Sequence, residues 1–283
     1  MDEGFTWREL LAVASEKLAA HEARRLVERA SGFDGTELAL GLGEPVPARA
    51  KPFFDQMLER RIAGEPLQYV LGQWGFRRLD LFVDRRVLIP RPETEMVVQV
   101  ALGELRDLPK RPQVLDLGTG SGAIALSIAV EVPTAQVLAT DASVDALAVA
   151  AVNLTGIGTL AARRVRLEHG PWFEAVPANL RGAFQLIVSN PPYVGDDELL
   201  PDEVADWEPS EALRAGPTGL EDIAHIVGEA PAWLARPGVL VVELAPHQAG
   251  TAIALARDAG FTSAEVRLDL AGRERTLLAR LAG

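Results

Sequence analysis

No cysteine occurs in the 283 residues. That excludes disulfides, thiolate metal sites and thiol nucleophiles, and it suits a reducing cytosol. Histidine is nearly as scarce. His21, His169, His225 and His247 show no paired metal-ligand spacing, so all four read as ordinary residues and no metal is expected. Positive charge is also short: 28 Lys and Arg stand against 40 acids, a net charge of −12. That balance argues against extended contact with a nucleic-acid backbone. The short runs Arg24-Arg25 and Arg163-Arg164 read as solvated faces. No stretch reaches the roughly 18 uninterrupted apolar residues of a membrane helix. The start, Met1-Asp2-Glu3-Gly4, is acidic and has no basic segment ahead of an apolar run. These absences predict a soluble, cytoplasmic protein with no membrane partner. Internal repeats and low-complexity tracts are missing too. What remains is a 48% hydrophobic chain, long enough to bury a full core in one large domain or two smaller ones.

Residues 1–73 read as a small helical domain. Leu10, Leu11, Ala14 and Leu18 recur at helical spacing, followed by Leu26, Val27 and Ala30. Gly32, Gly35, Gly41 and Gly43 break the pattern, and Pro45 and Pro47 mark a connection. A further helix fits Phe53 to Ile62, with Phe54, Met57, Leu58 and Ile62 on one face and a stop at Gly64-Glu65-Pro66. Residues 74–90 read as a β-hairpin linker. Trp74-Gly75-Phe76 and Leu79-Asp80-Leu81-Phe82-Val83 would be its strands, joined by a charged turn. In Leu88-Ile89-Pro90-Arg91-Pro92-Glu93-Thr94-Glu95 the prolines deny helix, while Thr94 and the acids suit a helix start.

Residues 91–283 form the larger domain. Strands are expected at Val114–Leu117, Gln136–Thr140, Val165–Leu167, Phe184–Ser189, Val239–Leu244, Ala264–Leu268 and Thr276–Leu281. Helices are expected at Ala123–Val130, Ala146–Leu154, 220–235 and 247–259. The alternation predicts an α/β fold, a doubly wound, mostly parallel seven-stranded sheet.

Two expected strand ends carry chemistry. Asp116-Leu117-Gly118-Thr119-Gly120-Ser121-Gly122 leaves a strand and opens a helix, and its glycines let backbone approach a ligand. Asp141 ends the next strand, where an acid receives ribose hydroxyls. Alone, this pattern leaves a nicotinamide dinucleotide open. Ser121 is no hydrolase nucleophile, since Thr119 and Ala123 occupy the flanking glycine positions of a nucleophile elbow. The second motif is Asn190-Pro191-Pro192-Tyr193, after the strand Leu186–Ser189. An asparagine before proline is held extended. The prolines donate no N–H and leave carbonyls as acceptors. An Asn oxygen and a proline carbonyl can receive both hydrogens of one NH₂ group, with Tyr193 as an aromatic wall. The site suits a neutral, planar, NH₂-bearing nucleophile.

Gly118–Gly122 with Asp141 and Asn190-Pro191-Pro192-Tyr193 resembles the class I methyltransferases that modify amino groups on planar systems. Nucleic-acid N-methyltransferases and protein glutamine N5-methyltransferases share the tetrapeptide. Further segments resemble the peptide chain release factor glutamine methyltransferase family. These are Gly64-Glu65-Pro66-Leu67-Gln68-Tyr69, Ile89-Pro90-Arg91-Pro92-Glu93-Thr94-Glu95, Glu208-Pro209 with Ala212-Leu213, Gly219-Leu220, and Asp269–Arg275. The resemblance implies S-adenosylmethionine as cofactor, held by Gly118, Thr119, Gly120, Ser121, Gly122, Asp141, Trp172 and Asn190. It implies that Asn190 Oδ1 and the Pro191 carbonyl accept the substrate amide hydrogens, with Pro192 and Tyr193 completing the substrate site. Asn190, Pro191 and Tyr193 are the expected catalytic residues, and peptide chain release factors the expected partners, with no direct nucleic-acid binding. The helical domain would recognise the protein substrate. Three positions depart from the family pattern. Pro171 stands before Trp172 where an acid is usual, leaving adenine recognition to Trp172 and backbone. Ala245 stands where Glu-x-Gly-x-x-Gln has its glycine, and Thr218 stands where Asp is expected. Glu93 and Glu95 could serve either as helix-start acids or beside the cofactor, and Glu243 reads as structural.

Overall fold

The computed structural model describes residues 4–106 and 111–283; the acidic start at Met1–Glu3 lies outside them. The chain splits into two compact units, Met1–Gln73 and Trp74–Gly283. The first is all helix: α1 (Trp7–Ser15), α2 (Ala20–Ser31), α3 (Gly35–Gly41), α4 (Ala50–Ile62) and α5 (Leu67–Leu71). Helix α1 opens with a capping box, in which Glu9 N–H donates to Thr6 and Thr6 N–H donates to Glu9. Trp7, Leu10, Ala14, Leu26, Val27, Phe54 and Met57 fill the core. Ile62, expected on the same face as Phe54, is instead 49% exposed at the end of its helix. Helix α3 corrects the reading of Gly35 and Gly41 as breaks. Asp34 accepts from the N–H groups of Thr36 and Glu37, and this cap outweighs the glycines' weak propensity.

The second unit begins with the antiparallel hairpin β1 (Trp74–Phe76) and β2 (Leu79–Leu81). Arg77, at its turn, pairs with Glu131 at 2.6 Å. Then follow α6 (Thr94–Leu105), β3 (Gln113–Leu117), α7 (Ala123–Glu131), β4 (Gln136–Asp141), α8 (Val144–Gly156), α9 (Thr159–Ala162), β5 (Val165–His169) and β6 (Phe184–Ser189). The chain ends with α10 (Asp202–Trp207), α11 (Glu221–Trp233), β7 (Leu234–Glu243), α12 (Ala249–Asp258), β8 (Ser263–Leu268) and β9 (Glu274–Leu281). The seven strands from β3 onward form one sheet, ordered β5-β4-β3-β6-β7-β9-β8. β9 alone runs opposite to the other six strands. The central strands are buried on both faces, as continuous apolar runs such as Leu186-Ile187-Val188 require. Strand β7 is longer than expected. It begins at Leu234, and its register against β6 jumps between the Phe184–Leu234 and Leu186–Val239 pairs. The sequence pattern showed only the regular second half.

The sheet order puts β3 between β4 and β6, so the winding reverses there. Ligands of open α/β sheets sit outside the carboxyl ends of the strands at such a switch. Leu117 and Ser189 are register partners, and the Ser189 hydroxyl donates to the Leu117 carbonyl at 2.7 Å. The two motifs therefore leave the sheet side by side.

Candidate active site

The loop after β3 needs its glycines for their backbone. Gly118, Gly120 and Gly122 have φ of 69°, 56° and 85°, a region that L side chains resist. Neighbouring strands hold the loop in place. Thr119 N–H donates to the Thr140 carbonyl at 2.9 Å, and Gly120 N–H donates to Asp141 Oδ2 at 2.8 Å. Asn153 on α8 braces the loop from behind, donating to the carbonyls of Ser121 (2.8 Å) and Phe82 (3.0 Å). Asp116 Oδ2 accepts from the Thr119 hydroxyl and the Ala125 N–H. Burial pushes the Asp116 carboxyl up to about 7. Its Oδ1 is buried with no hydrogen-bond partner among the described residues.

In front of this loop lies a cavity of about 300 Å³, at the lower end of the range for small-molecule sites. Gly118, Thr119, Gly120, Ser121, Asp141, Trp172 and Asn190 all line it; Gly122 instead closes the loop as the N-cap of α7. A Cβ on Gly118 would sit 3.3 Å from the Trp172 ring, so glycine keeps that slot open. Asp222, which sequence reading missed, also lines the cavity together with Trp172. Burial raises the carboxyls of both Asp141 and Asp222. Charge separates the two cofactors left open by the glycine pattern. The lining carries Asp141, Glu211 and Asp222, and its one basic residue, Arg86, is paired with Asp84 at 2.6 Å. Such a wall suits a cationic ligand and disfavours the diphosphate of a nicotinamide dinucleotide. The residues present thus fit a sulfonium cofactor.

A second cavity of about 290 Å³ shares Leu88, Asn190 and Ala212 with the first. Pro191 and Tyr193 line this second space, while Pro192 faces the first. Asn190 thus stands in the wall between them. Its Nδ2 donates to Thr94 Oγ1 at 3.2 Å. Thr94 was expected to cap α6; its hydroxyl instead donates to Glu243 Oε2 at 2.7 Å, and Tyr193 Oη donates to Glu243 Oε1 at 3.2 Å. Glu243 is fully buried, and burial pushes its carboxyl up to about 7. Burial, reinforced by Glu243, raises the Tyr193 phenol, which stays protonated and donating.

Gln248 and Gly219 support the tetrapeptide from below. Gln248 Nε2 donates to the carbonyls of Tyr193 and Gly219, each at 2.9 Å. The family departures are accommodated locally. Ala245 has φ −76°, which needs no glycine, and its N–H donates to Gln248 Oε1. Thr218 Oγ1 accepts from Leu220 N–H at the start of α11, as an Asp would. Pro171 lines the cofactor cavity beside Trp172. Glu93 pairs with Arg273, and Glu95 accepts from Arg77 N–H; neither lines a cavity described here. The buried Glu208 accepts from Ile89 N–H and Arg91, fixing the Pro-Arg-Pro segment beside the second cavity. Among the described residues no His, Asp or Glu cluster could hold a metal ion. No helix among them is long and apolar enough to cross a membrane.

The chain is similar to known proteins in sequence and in fold. Residues 6–72 match the family described as PrmC N-terminal domain, and residues 98–205 match Methyltransferase small domain. A release factor glutamine methyltransferase of Cereibacter sphaeroides is 41% identical over 276 residues, covering 96% of this chain and 94% of that protein. One from Deinococcus radiodurans is 41% identical over 286 residues, covering 98% and 99%. One from Bordetella pertussis is 42% identical, covering 93% and 95%. Among solved structures, a methyltransferase from Pyrococcus furiosus superposes with a TM-score of 0.53 at 16% identity, covering 84% of this chain and all of that one. A T. thermophilus 16S rRNA methyltransferase in complex with AdoMet and guanosine gives 0.50 at 18% identity, covering 74% and 49%.

Proposed function

The chain belongs to the release factor glutamine methyltransferase family, and on that premise we propose how its residues carry out the reaction. The protein is an S-adenosylmethionine-dependent methyltransferase acting on glutamine in a peptide chain release factor. Its target is the side-chain amide nitrogen of the glutamine in the Gly-Gly-Gln motif, and it works in the cytoplasm without binding nucleic acid, in keeping with a net charge of −12.

The observation that carries this reading is the place of Asn190, in the wall shared by two cavities. The larger would hold the cofactor: Asp141 would receive ribose hydroxyls, Trp172 would receive the adenine, and Gly118–Ser121 would offer their backbone. Bound there, S-adenosylmethionine supplies a methyl group already electrophilic enough to need no strong base. The second cavity admits the glutamine side chain. An amide nitrogen is a poor nucleophile because its lone pair is delocalised into the carbonyl. Asn190 Oδ1 and the Pro191 carbonyl accept both amide hydrogens and turn the nitrogen toward the cofactor. Tyr193, anchored on Glu243, packs along the side chain. Alignment in a water-poor site supplies the rate.

The test is a mass spectrum of release factor after incubation with enzyme and cofactor. One added methyl on the Gly-Gly-Gln peptide is expected. Preferential transfer to RNA or DNA offered in the same tube would overturn the reading.

Two further outcomes follow. Replacing Asp141 with alanine removes charge-assisted hydrogen bonds worth roughly 1.5–3 kcal/mol each. Calorimetry should give cofactor affinity weaker by about tenfold to a hundredfold. Unchanged affinity would remove Asp141 from the site. The helical unit recognises the protein substrate, using exposed apolar side chains such as Leu40 and Phe53. Leu40→Asp with Phe53→Asp should raise KM for release factor by about tenfold, roughly 1.4 kcal/mol, and leave cofactor affinity unchanged. An unaltered KM would count against that role.

A further inference from the structure

The proposed chemistry requires Asn190 to show the substrate its oxygen rather than its NH₂, and nothing within the tetrapeptide decides between the two. The amide is nearly symmetrical in shape, so only its hydrogen-bond partner can choose. That partner is Thr94 Oγ1, 3.2 Å from Nδ2. A hydroxyl has one hydrogen. Thr94 gives it to Glu243 Oε2 at 2.7 Å, which leaves only lone pairs facing Asn190. The other oxygen of Glu243 takes the Tyr193 hydroxyl at 3.2 Å. We infer that Glu243 is a positioning residue for methyl transfer: its carboxylate, through Thr94, turns Asn190 so that Oδ1 faces the substrate amide, and it anchors Tyr193 with its second oxygen. This inference rests on the reading of Asn190 as the amide acceptor.

The placement of Glu243 supports it. The residue ends β7, has no exposed surface, and burial disfavours its charged form. A carboxylate there costs stability that an apolar side chain of similar volume would not. Among the described residues the Glu243 side chain holds no backbone N–H and closes no ion pair. Its two side-chain hydrogen bonds go to Thr94, which holds Asn190, and to Tyr193, which lines the second cavity. Of the surrounding charges, Arg275 favours the charged form of Glu243 and Glu93 disfavours it. Glu93 pairs with Arg273 at 2.8 Å, and Arg275 donates to the Leu244 carbonyl and lies 3.8 Å from Asp269.

The same chain of donors is reversible. A protonated Glu243 can donate to Thr94. The Thr94 hydrogen then turns to Asn190 and draws Oδ1 toward itself, leaving Nδ2 facing the substrate. With Glu93, Arg275, Tyr193 and Thr94 as the polar groups around it, burial pushes the Glu243 carboxyl up to about 7. Protonation switches the site off, so kcat/KM should rise with pH through a limb near 7 that belongs to Glu243.

The experiment compares Glu243→Leu, Glu243→Gln, Thr94→Val and Thr94→Ser with the parent, using release factor as substrate and a direct cofactor titration. Glu243→Leu and Thr94→Val should each lower kcat by about a hundredfold, the scale of a misplaced reacting group, with cofactor affinity retained. Glu243→Gln is the neutral counterpart of the protonated acid, and its NH₂ can donate to Thr94 as the protonated carboxyl does. It should be impaired at every pH and lose the pH limb, whereas Thr94→Ser should recover activity with the limb intact. If Glu243→Leu fails to fold, Thr94→Val decides. Turnover within about threefold of the parent in Thr94→Val, or a loss due only to cofactor affinity, overturns the inference while Asn190→Ala remains inactive. Turnover by Asn190→Ala itself would instead overturn the reading on which the inference rests.

Discussion

Asn190→Ala lowers methyl transfer to release factor by about a hundredfold to a thousandfold, the cost of removing one positioned hydrogen-bonding group from a dry site. Cofactor binding should stay largely intact, because Asp141 and the glycine loop, proposed to hold the cofactor, lie on β4 and after β3 rather than on β6. The neighbours cannot take over the role. Pro191 and Pro192 follow immediately, and Thr94 keeps its hydroxyl on Glu243 when the asparagine is gone. The Pro191 carbonyl still accepts one amide hydrogen, so substrate binds, but the nitrogen is no longer turned toward the methyl group. Asn190→Asp is the sharper variant. It has no NH₂ to give Thr94 and places a second carboxylate close to a buried Glu243 whose charged form is already disfavoured. One of the two acids then holds a proton, and the donor order around Thr94 is scrambled. Turnover should fall at least tenfold, a barrier increase of roughly 1.4 kcal/mol. The measurement is single-turnover transfer at saturating cofactor, beside a cofactor titration. Near-parental turnover by Asn190→Ala would show that the tetrapeptide does not receive the amide.

The sequence made the sheet and both loops readable because their signals are local. A strand running into Gly118-Thr119-Gly120-Ser121-Gly122, and another running into Asn190-Pro191-Pro192-Tyr193, leave few backbone choices. Periodicity found all seven strands of the large sheet and misjudged mainly their ends. Helix α3 was missed because a capping box within a glycine-rich stretch is a contest between two local preferences, and composition alone does not show which wins. The supporting residues of the site were harder to read for a different reason. Thr94, Gln248, Asp222 and Glu243 act across sequence separations of 29 to 149 residues. Nothing near Glu243 in the chain announces Thr94. Thr94 looked like a helix cap because hydroxyls usually are at such places, and only the packing of α6 beside β7 redirects its hydrogen. The preference of the cofactor cavity for positive charge also emerged only once Asp141, Glu211 and Asp222 were seen on one wall.

Gly219→Ala should both destabilise the protein and disable it, although Gly219 itself lines neither cavity. The residue is buried just before α11 with φ 74°, where a Cβ costs about 1–2 kcal/mol in backbone strain alone. The space is also taken. A Cβ there would lie 2.5 Å from the Tyr193 carbonyl oxygen, 2.9 Å from Gly195 N and 3.0 Å from Gln248 Nε2. The first two are backbone atoms and cannot swing aside, and such overpacking typically adds about 1–3 kcal/mol. The sum, on the order of 2–5 kcal/mol, corresponds to a melting temperature lower by on the order of 5–15 °C for a unit of this size. Relief must come from moving Tyr193 or breaking the paired Gln248 bonds to the Tyr193 and Gly219 carbonyls. Either shifts the tetrapeptide, and a shift approaching 1 Å costs about a hundredfold in rate. Gly228→Ala is the control. It lies exposed in α11 of the same unit, has no left-handed φ, and a Cβ there meets nothing within 4 Å. That change should leave turnover alone and raise stability by up to about 1 kcal/mol. If Gly219→Ala melts and turns over like the parent, the close approach beneath Tyr193 does not constrain the site.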